Sequence, residues 1–221
     1  MKKVVKKTKK KATAATAAAV SLSAATALLA FAAPASAAED SVSTSSTVGY
    51  VCQSRFDGSW FPINGYSRGF TTTAPSKVSA GAGFNVAFDP APIVALGEYN
   101  KELTDIEVAY KVSPEARVLG YKLVGGKNLG SAVFHVERRG AEFVVTSPDS
   151  IPGGVEFDLP SLVVTLRAPG QGAVTTGPGG SSFEQRSFGW NRLHPANDQW
   201  DPFQCYADPA KPVVFSTTAV G

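Results

Sequence analysis

Short runs of alternating apolar and polar residues, each closed by glycine or proline, recur along this chain and restrict it to a protein built from sheets. Phe84, Val86 and Phe88 form one such run, and Ile106, Val108 and Tyr110 another. Phe134 and Val136 alternate with Val133, His135 and Glu137, and Val164 and Leu166 alternate with Val163 and Thr165. A strand sends successive side chains to opposite faces, so a period of two marks a pleated surface buried on one side, whereas a helix would need a period of 3.6. Between the runs stand Pro75, the Gly81–Gly83 stretch, Pro90 and Pro92, Gly125 and Gly126, Gly140, then Pro152, Gly153 and Gly154. Strands of this length with that punctuation predict an all-β sandwich of two sheets. One stretch, Ile93 to Asp105, has helical spacing around Leu96 and Leu103, but Gly97 limits it to a loop with at most two helical turns.

The chain has 221 residues and two cysteines, Cys52 and Cys205. Its first 37 residues have the form of an export signal: seven lysines, an Ala-rich apolar stretch through Leu28, Leu29 and Phe31, and Ala35, Ser36 and Ala37 as the small residues of a cleavage site. The mature chain is expected to start at Ala38. In the oxidising compartment this implies, an even cysteine count without metal-ligand spacing reads as one disulfide, stapling the domain near both ends. Seven of the 21 basic residues lie before residue 38 and none of the 18 acidic ones does, so the remainder carries 14 basic against 18 acidic side chains, a net charge near −4. That balance, with its basic residues scattered, excludes a nucleic-acid partner. No apolar tail closes the chain, so no transmembrane anchor is expected once the signal is removed. The remaining 184 residues suit one domain, expected over 49–217, after a flexible Ser/Thr-rich lead over 38–48 and before a short tail over 218–221.

The residues that could carry function cluster near the cysteines. Trp60 follows Cys52, and Trp190 and Trp200 precede Cys205, with Tyr66, Phe61, Phe203 and Asn191 nearby. Brought together, these rings could form a platform on which a sugar stacks while Asn191 and its neighbours bond the hydroxyls. The alternative is that they cover the disulfide and fill one end of the core. His194, Asp198 and Asp201 place an imidazole and two carboxylates within eight positions and are the candidate metal ligands, although loop aspartates ordinarily serve turns. No cofactor is expected. A Ser-His-Asp hydrolase would have to use His135 or His194, and no G-x-S-x-G turn presents a nucleophile. Glu156 and Asp158 share a strand face, the usual arrangement of a solvated edge.

Pro75, Val78, Gly81 and Phe84 fall in the order P-x-x-V-x-x-G-x-x-F, after a cysteine in the first strand, and a strand from Pro160 to Arg167 precedes the second cysteine. On these residues the chain resembles secreted actinobacterial immunoglobulin-like β-sandwich proteins of unknown function, in which a cysteine near each end brackets the domain. The resemblance spans about Tyr50 to Phe215 and implies a fold but no catalytic residues. It also implies a departure from immunoglobulin domains proper, whose cysteines sit on strands deep inside the domain. The expected function is that of a secreted, non-enzymatic binding or interaction protein of the cell envelope or extracellular space, with a protein or glycan partner contacted near the disulfide. A carbohydrate-binding module using the aromatic platform and a small secreted hydrolase stand as alternatives.

Overall fold

The computed structural model describes residues 41–221, so the export signal expected over 1–37 lies outside the described residues. In chain order the first strands are β1 (Ser41–Phe56), β2 (Ser59–Ile63), β3 (Ser67–Pro75), β4 (Lys77–Val78), β5 (Gly83–Pro90), β6 (Ile93–Val94), β7 (Glu102–Val112) and β8 (Arg117–Val124). They are followed by β9 (His135–Arg139), β10 (Glu142–Ser147), β11 (Ile151–Pro152), β12 (Glu156–Phe157), β13 (Ser161–Arg167), β14 (Gly172–Pro178), β15 (Phe188–Leu193), β16 (Trp200–Ala207) and β17 (Ser216–Val220). No helix occurs among the described residues.

The first sheet runs β1-β3-β5-β13-β8, antiparallel throughout. In the second, β7 carries β10 and β11 on one side and β15 and β14 on the other; β9 extends β10, and β15 leads through β16 to β1 and β2. β1 therefore belongs to both sheets: Ser41–Gly49 pair with β3, and the residues from Tyr50 onward pair with β16 and β2. The two layers meet face to face. Tyr110 of the second sheet stacks on Phe88 of the first at 4.8 Å and meets Phe70 edge-on, and Tyr121 of β8 packs against Phe143 of β10. Val86, Phe88, Ile106, Val108, Tyr110, Val164 and Leu166, the inward members of the alternating runs, are all buried in one core. Each large apolar side chain so buried contributes about 1.5–3 kcal/mol relative to exposure. The expected all-β sandwich is thus present, with Cys52 and Cys205 joined at an S–S distance of 2.06 Å.

Two boundaries differ from expectation. Ser and Thr fill six of the seven positions from Ser41 to Thr47, a composition that suggested a flexible lead, yet this run pairs with β3 from Ser41 opposite Pro75 to Gly49 opposite Ser67. β3 is itself threonine-rich and offers an open edge; Ser43 and Thr73 share a hydroxyl hydrogen bond of 2.8 Å, and pairing outweighs the local preference for disorder. At the other end, the expected tail belongs to β17, where the buried Thr218 hydroxyl donates to the Pro75 carbonyl at 2.8 Å. The glycine-rich run after Pro169 contains β14, held between β17 and β7. Ile93 to Asp105 makes no helix beyond one turn: the Tyr99 and Asn100 amides both donate to the Leu96 carbonyl at 3.0 Å before the chain enters β7.

Candidate functional site

The site is built on the end of the second sheet where β2, β1, β16 and β15 lie side by side. Phe56-Asp57-Gly58-Ser59 is a two-residue hairpin, with φ of +46° at Asp57 and +77° at Gly58, the conformation an Asp-Gly pair adopts most readily. It places Phe61 opposite Ser54 and Ile63 opposite Cys52. On the other side of β1, Cys205 stands opposite Cys52 and Phe203 opposite Ser54, and on β15 Trp190 stands opposite Phe203 and Arg192 opposite Asp201. Because pairs directly opposite share a face, Ser54, Phe61, Ile63, Phe203, Trp190 and Arg192 all face one way. Trp60 (opposite Arg55), Trp200 (opposite Leu193) and Asn191 (opposite Pro202) face the other.

The three tryptophans therefore do not form one platform. Trp190 is 5% exposed, and its indole N–H donates to Asn100 Oδ1 at 3.2 Å, which satisfies the one polar group of a buried ring. Trp60 and Trp200 are 45% and 47% exposed on the outer face. Asn191 is tied to Asp105 at 2.8 Å. Tyr66 lies on the inner side, stacked on Phe188 at 5.9 Å and edge-on to Phe203 at 5.2 Å. Behind it the buried Arg68 guanidinium sits over the Phe188 ring at 4.7 Å and donates to the Ala91 carbonyl.

On the inner side an open cleft of about 620 Å³ separates β2 from the segment Val94–Asn100. Trp190, Phe203 and Tyr66 form its floor. Phe61 and Ile63 rise on one wall, and Val94, Leu96 and Tyr99 on the other. Phe61 is 49% and Leu96 54% exposed, so the mouth presents apolar surface to solvent that the core does not cover. The second wall is seated by glycine. The Gly154 amide donates to the Ala95 carbonyl at 2.7 Å and the Gly153 amide to the Lys101 carbonyl at 3.1 Å. A Cβ on Gly153 would stand 1.7 Å from the Asn100 carbonyl oxygen, which only a residue without a side chain permits.

Polar groups gather at one end of the cleft. Arg192 donates to the carbonyls of Tyr99 (3.5 Å) and Arg55 (3.3 Å), linking the second wall to β1, and its Nε is buried without a partner. Burial holds the guanidinium below its ordinary pKa, with Asp201 and Tyr99 opposing. Asp201 is itself buried with Oδ2 unpartnered, and it forms no ion pair with Arg192 among the described residues. His194 follows on the same face. Its Nδ1 accepts the Ala196 amide at 3.1 Å, which leaves the proton of the neutral ring on Nε2, and Phe56 packs on the ring at 4.6 Å. Burial, and then the Arg192 charge, hold its pKa below the ordinary histidine value.

The candidate metal ligands do not converge. Asp198, at φ +50°, turns its carboxylate to Lys101 at 2.8 Å, while His194 spends Nδ1 on its own loop; no group of three or more His, Cys, Asp or Glu able to hold a metal occurs among the described residues. Nor is His194 bonded to Ser54 or Asp201 among the described residues. The Ser54 hydroxyl instead donates to the Pro202 carbonyl at 3.3 Å. His135, at the start of β9, is exposed on an edge strand.

The sequence matches no protein-family profile and no curated protein. Among solved structures, the chain is similar to a non-cellulosomal cohesin from the hyperthermophilic archaeon Archaeoglobus fulgidus, at 11% identity and a TM-score of 0.34, over 65% of this chain and 83% of that one.

Of the residues that shape the cleft, Trp190, Tyr66, Phe61 and Phe203 were singled out in the sequence by their nearness to the cysteines, and His194 as a candidate metal ligand. Ile63, Leu96, Tyr99, Asn100 and Arg192 were not. The Asp57-Gly58 pair carried a usable signal, since a two-residue turn there sets Ile63 and Phe61 beside Cys52 and Ser54. Nothing local marks Leu96 or Tyr99 as the facing wall.

Proposed function

We propose that this chain is an exported, non-enzymatic binding protein whose ligand seats in the apolar cleft at the disulfide end of the sandwich. The observation that carries this reading is the open mouth between Phe61 and Ile63 on one side and Val94, Leu96 and Tyr99 on the other. A concave site of several hundred Å³, walled by apolar and aromatic groups with a few polar atoms at one end, has the form of a small-molecule site. Export is supported by the basic head and small-residue cleavage site before residue 38. A buried disulfide fits an oxidising destination.

The test is displacement of a bound hydrophobic fluorophore. Phe61→Ser and Leu96→Asp, at exposed positions that leave the core intact, should each weaken fluorophore binding about tenfold or more while the melting temperature stays within a few degrees. Unchanged binding in both variants would overturn the reading. The exposed Trp60 and Trp200 favour a second reading, a glycan held on the outer face. A polysaccharide affinity lost in Trp60→Ala and Trp200→Ala but kept in Leu96→Asp would place the function there instead.

A further inference from the structure

We infer that the cleft takes a single-chain amphiphile: a hydrocarbon body ending in a carboxylate, with the head at Arg192 and His194. This rests on the cleft being the binding site and adds the class of ligand.

The amide and the aliphatic hydroxyl in the body of the cleft, those of Asn100 and Ser54, are already engaged within the protein, which leaves the Tyr66 and Tyr99 phenols as the polar side-chain groups of that space. Asn100 accepts from the Trp190 indole and donates through Nδ2 to the Leu96 carbonyl at 2.9 Å, and the Ser54 hydroxyl donates to Pro202. Two phenols cannot satisfy the many hydroxyls of a sugar or the repeated amides of a peptide backbone, so most of those groups would be left without partners, each at a desolvation penalty that a methylene chain does not incur. The body of the ligand is therefore hydrocarbon.

The head is set by what remains. Trp190, Arg192 and His194 alternate along one face, so the apolar floor gives way in two steps to a guanidinium and an imidazole. Arg192 has a buried, unpartnered Nε and two long bonds to carbonyls, and its neutral neighbour His194 carries its proton on Nε2. No carboxylate lines the cleft among the described residues, and Asp201, across the ladder from Arg192, does not close an ion pair with it. A guanidinium with spare donors at the end of an apolar cleft, and with Asp201 behind it not bonded to it, matches a carboxylate, which can take two of those donors at once. A cationic head would meet Arg192 directly.

The test titrates the disulfide-bonded protein with dodecanoate, dodecanol and dodecylammonium below their micelle concentrations, reading tryptophan emission and calorimetric heat. Dodecanoate should saturate, with the alcohol at least about tenfold weaker and the amine weaker still. Arg192→Gln should bring acid and alcohol within about threefold of each other, and Arg192→Lys should keep part of the difference. If Arg192→Gln does not fold, added salt replaces it: the acid's affinity must fall with ionic strength while the alcohol's does not. Equal affinity for acid and alcohol would overturn the assignment of the head and leave the cleft standing. No binding of any of the three, with the fluorophore also failing to bind, would remove the cleft reading itself. An N-acetylated apolar tripeptide acid that bound more tightly than dodecanoate would overturn the hydrocarbon body.

Discussion

His194 shows at the scale of one residue how the site and the stability of the fold are coupled. Its imidazole is held below the ordinary histidine pKa chiefly by burial and then by Arg192, against the pull of Asp201 and Asp57. The unfolded chain therefore takes up a proton at a pH where the folded chain does not, and stability rises with pH across that interval. The contribution is fully present above the unfolded value, near 6.5, and is lost as pH falls through it toward the lower folded value. Thermal melts from pH 8 to pH 5 should show a falling midpoint. His194→Asn, whose amide oxygen can take the Ala196 N–H in place of Nδ1, should flatten that slope; an equally steep slope in the variant would mean that other groups set it. The tryptophans show at the same scale what a sequence withholds. Trp190 and Trp200 lie on antiparallel neighbours, and because Trp190 stands opposite Phe203, one ring faces inward and the other outward. A slip of a single residue would reverse Trp200, and the alternation within either strand does not specify that register.

Among the elements, the wall from Val94 to Asn100 depends on a glycine pair more than fifty residues further along the chain. Gly153→Ala would press a methyl group into the Asn100 carbonyl and lift the wall from its seat. The expected loss is about 3 kcal/mol, an overpacking cost, with a fall in melting temperature of roughly 5–10 °C. Hydrophobic-probe binding should fall with it; a variant as stable as the parent would show that the wall can move aside. The inward faces of β5, β7 and β13 were legible from alternation, since Val86, Ile106 and Val164 have the same burial in any sandwich that contains their strands. The first half of β1 was not, because its serines and threonines take their order from β3 rather than from their own composition. For the same reason Leu96 and Tyr99 could be assigned to a loop, but the surface they face is made by β2.

For the molecule as a whole, the disulfide is the feature the sequence made plainest, and the pairing of the two cysteines as direct cross-strand neighbours explains its effect. Cys52 and Cys205 are buried and close a span of 153 residues. In the chain-entropy model a loop of that size contributes about 5 kcal/mol, less any structure retained by the unfolded chain. Cys52→Ala with Cys205→Ala should lower the melting temperature by roughly 10 °C or more. A midpoint within 2 °C of the parent would show that the bond adds little to the packing of the two sheets. The position of the bond along β1 also governs how the domain bears tension. A pull on the chain at Ser41 meets first the ladder to β3, which can open one residue at a time, and then Cys52, where the load passes through the sulfur bridge to Cys205. Beyond that ladder and the one between β17 and β14, the covalent path bypasses the backbone between the two cysteines, both walls of the cleft included, so tension on the two ends cannot draw out the segments that form the cleft while the bridge is intact.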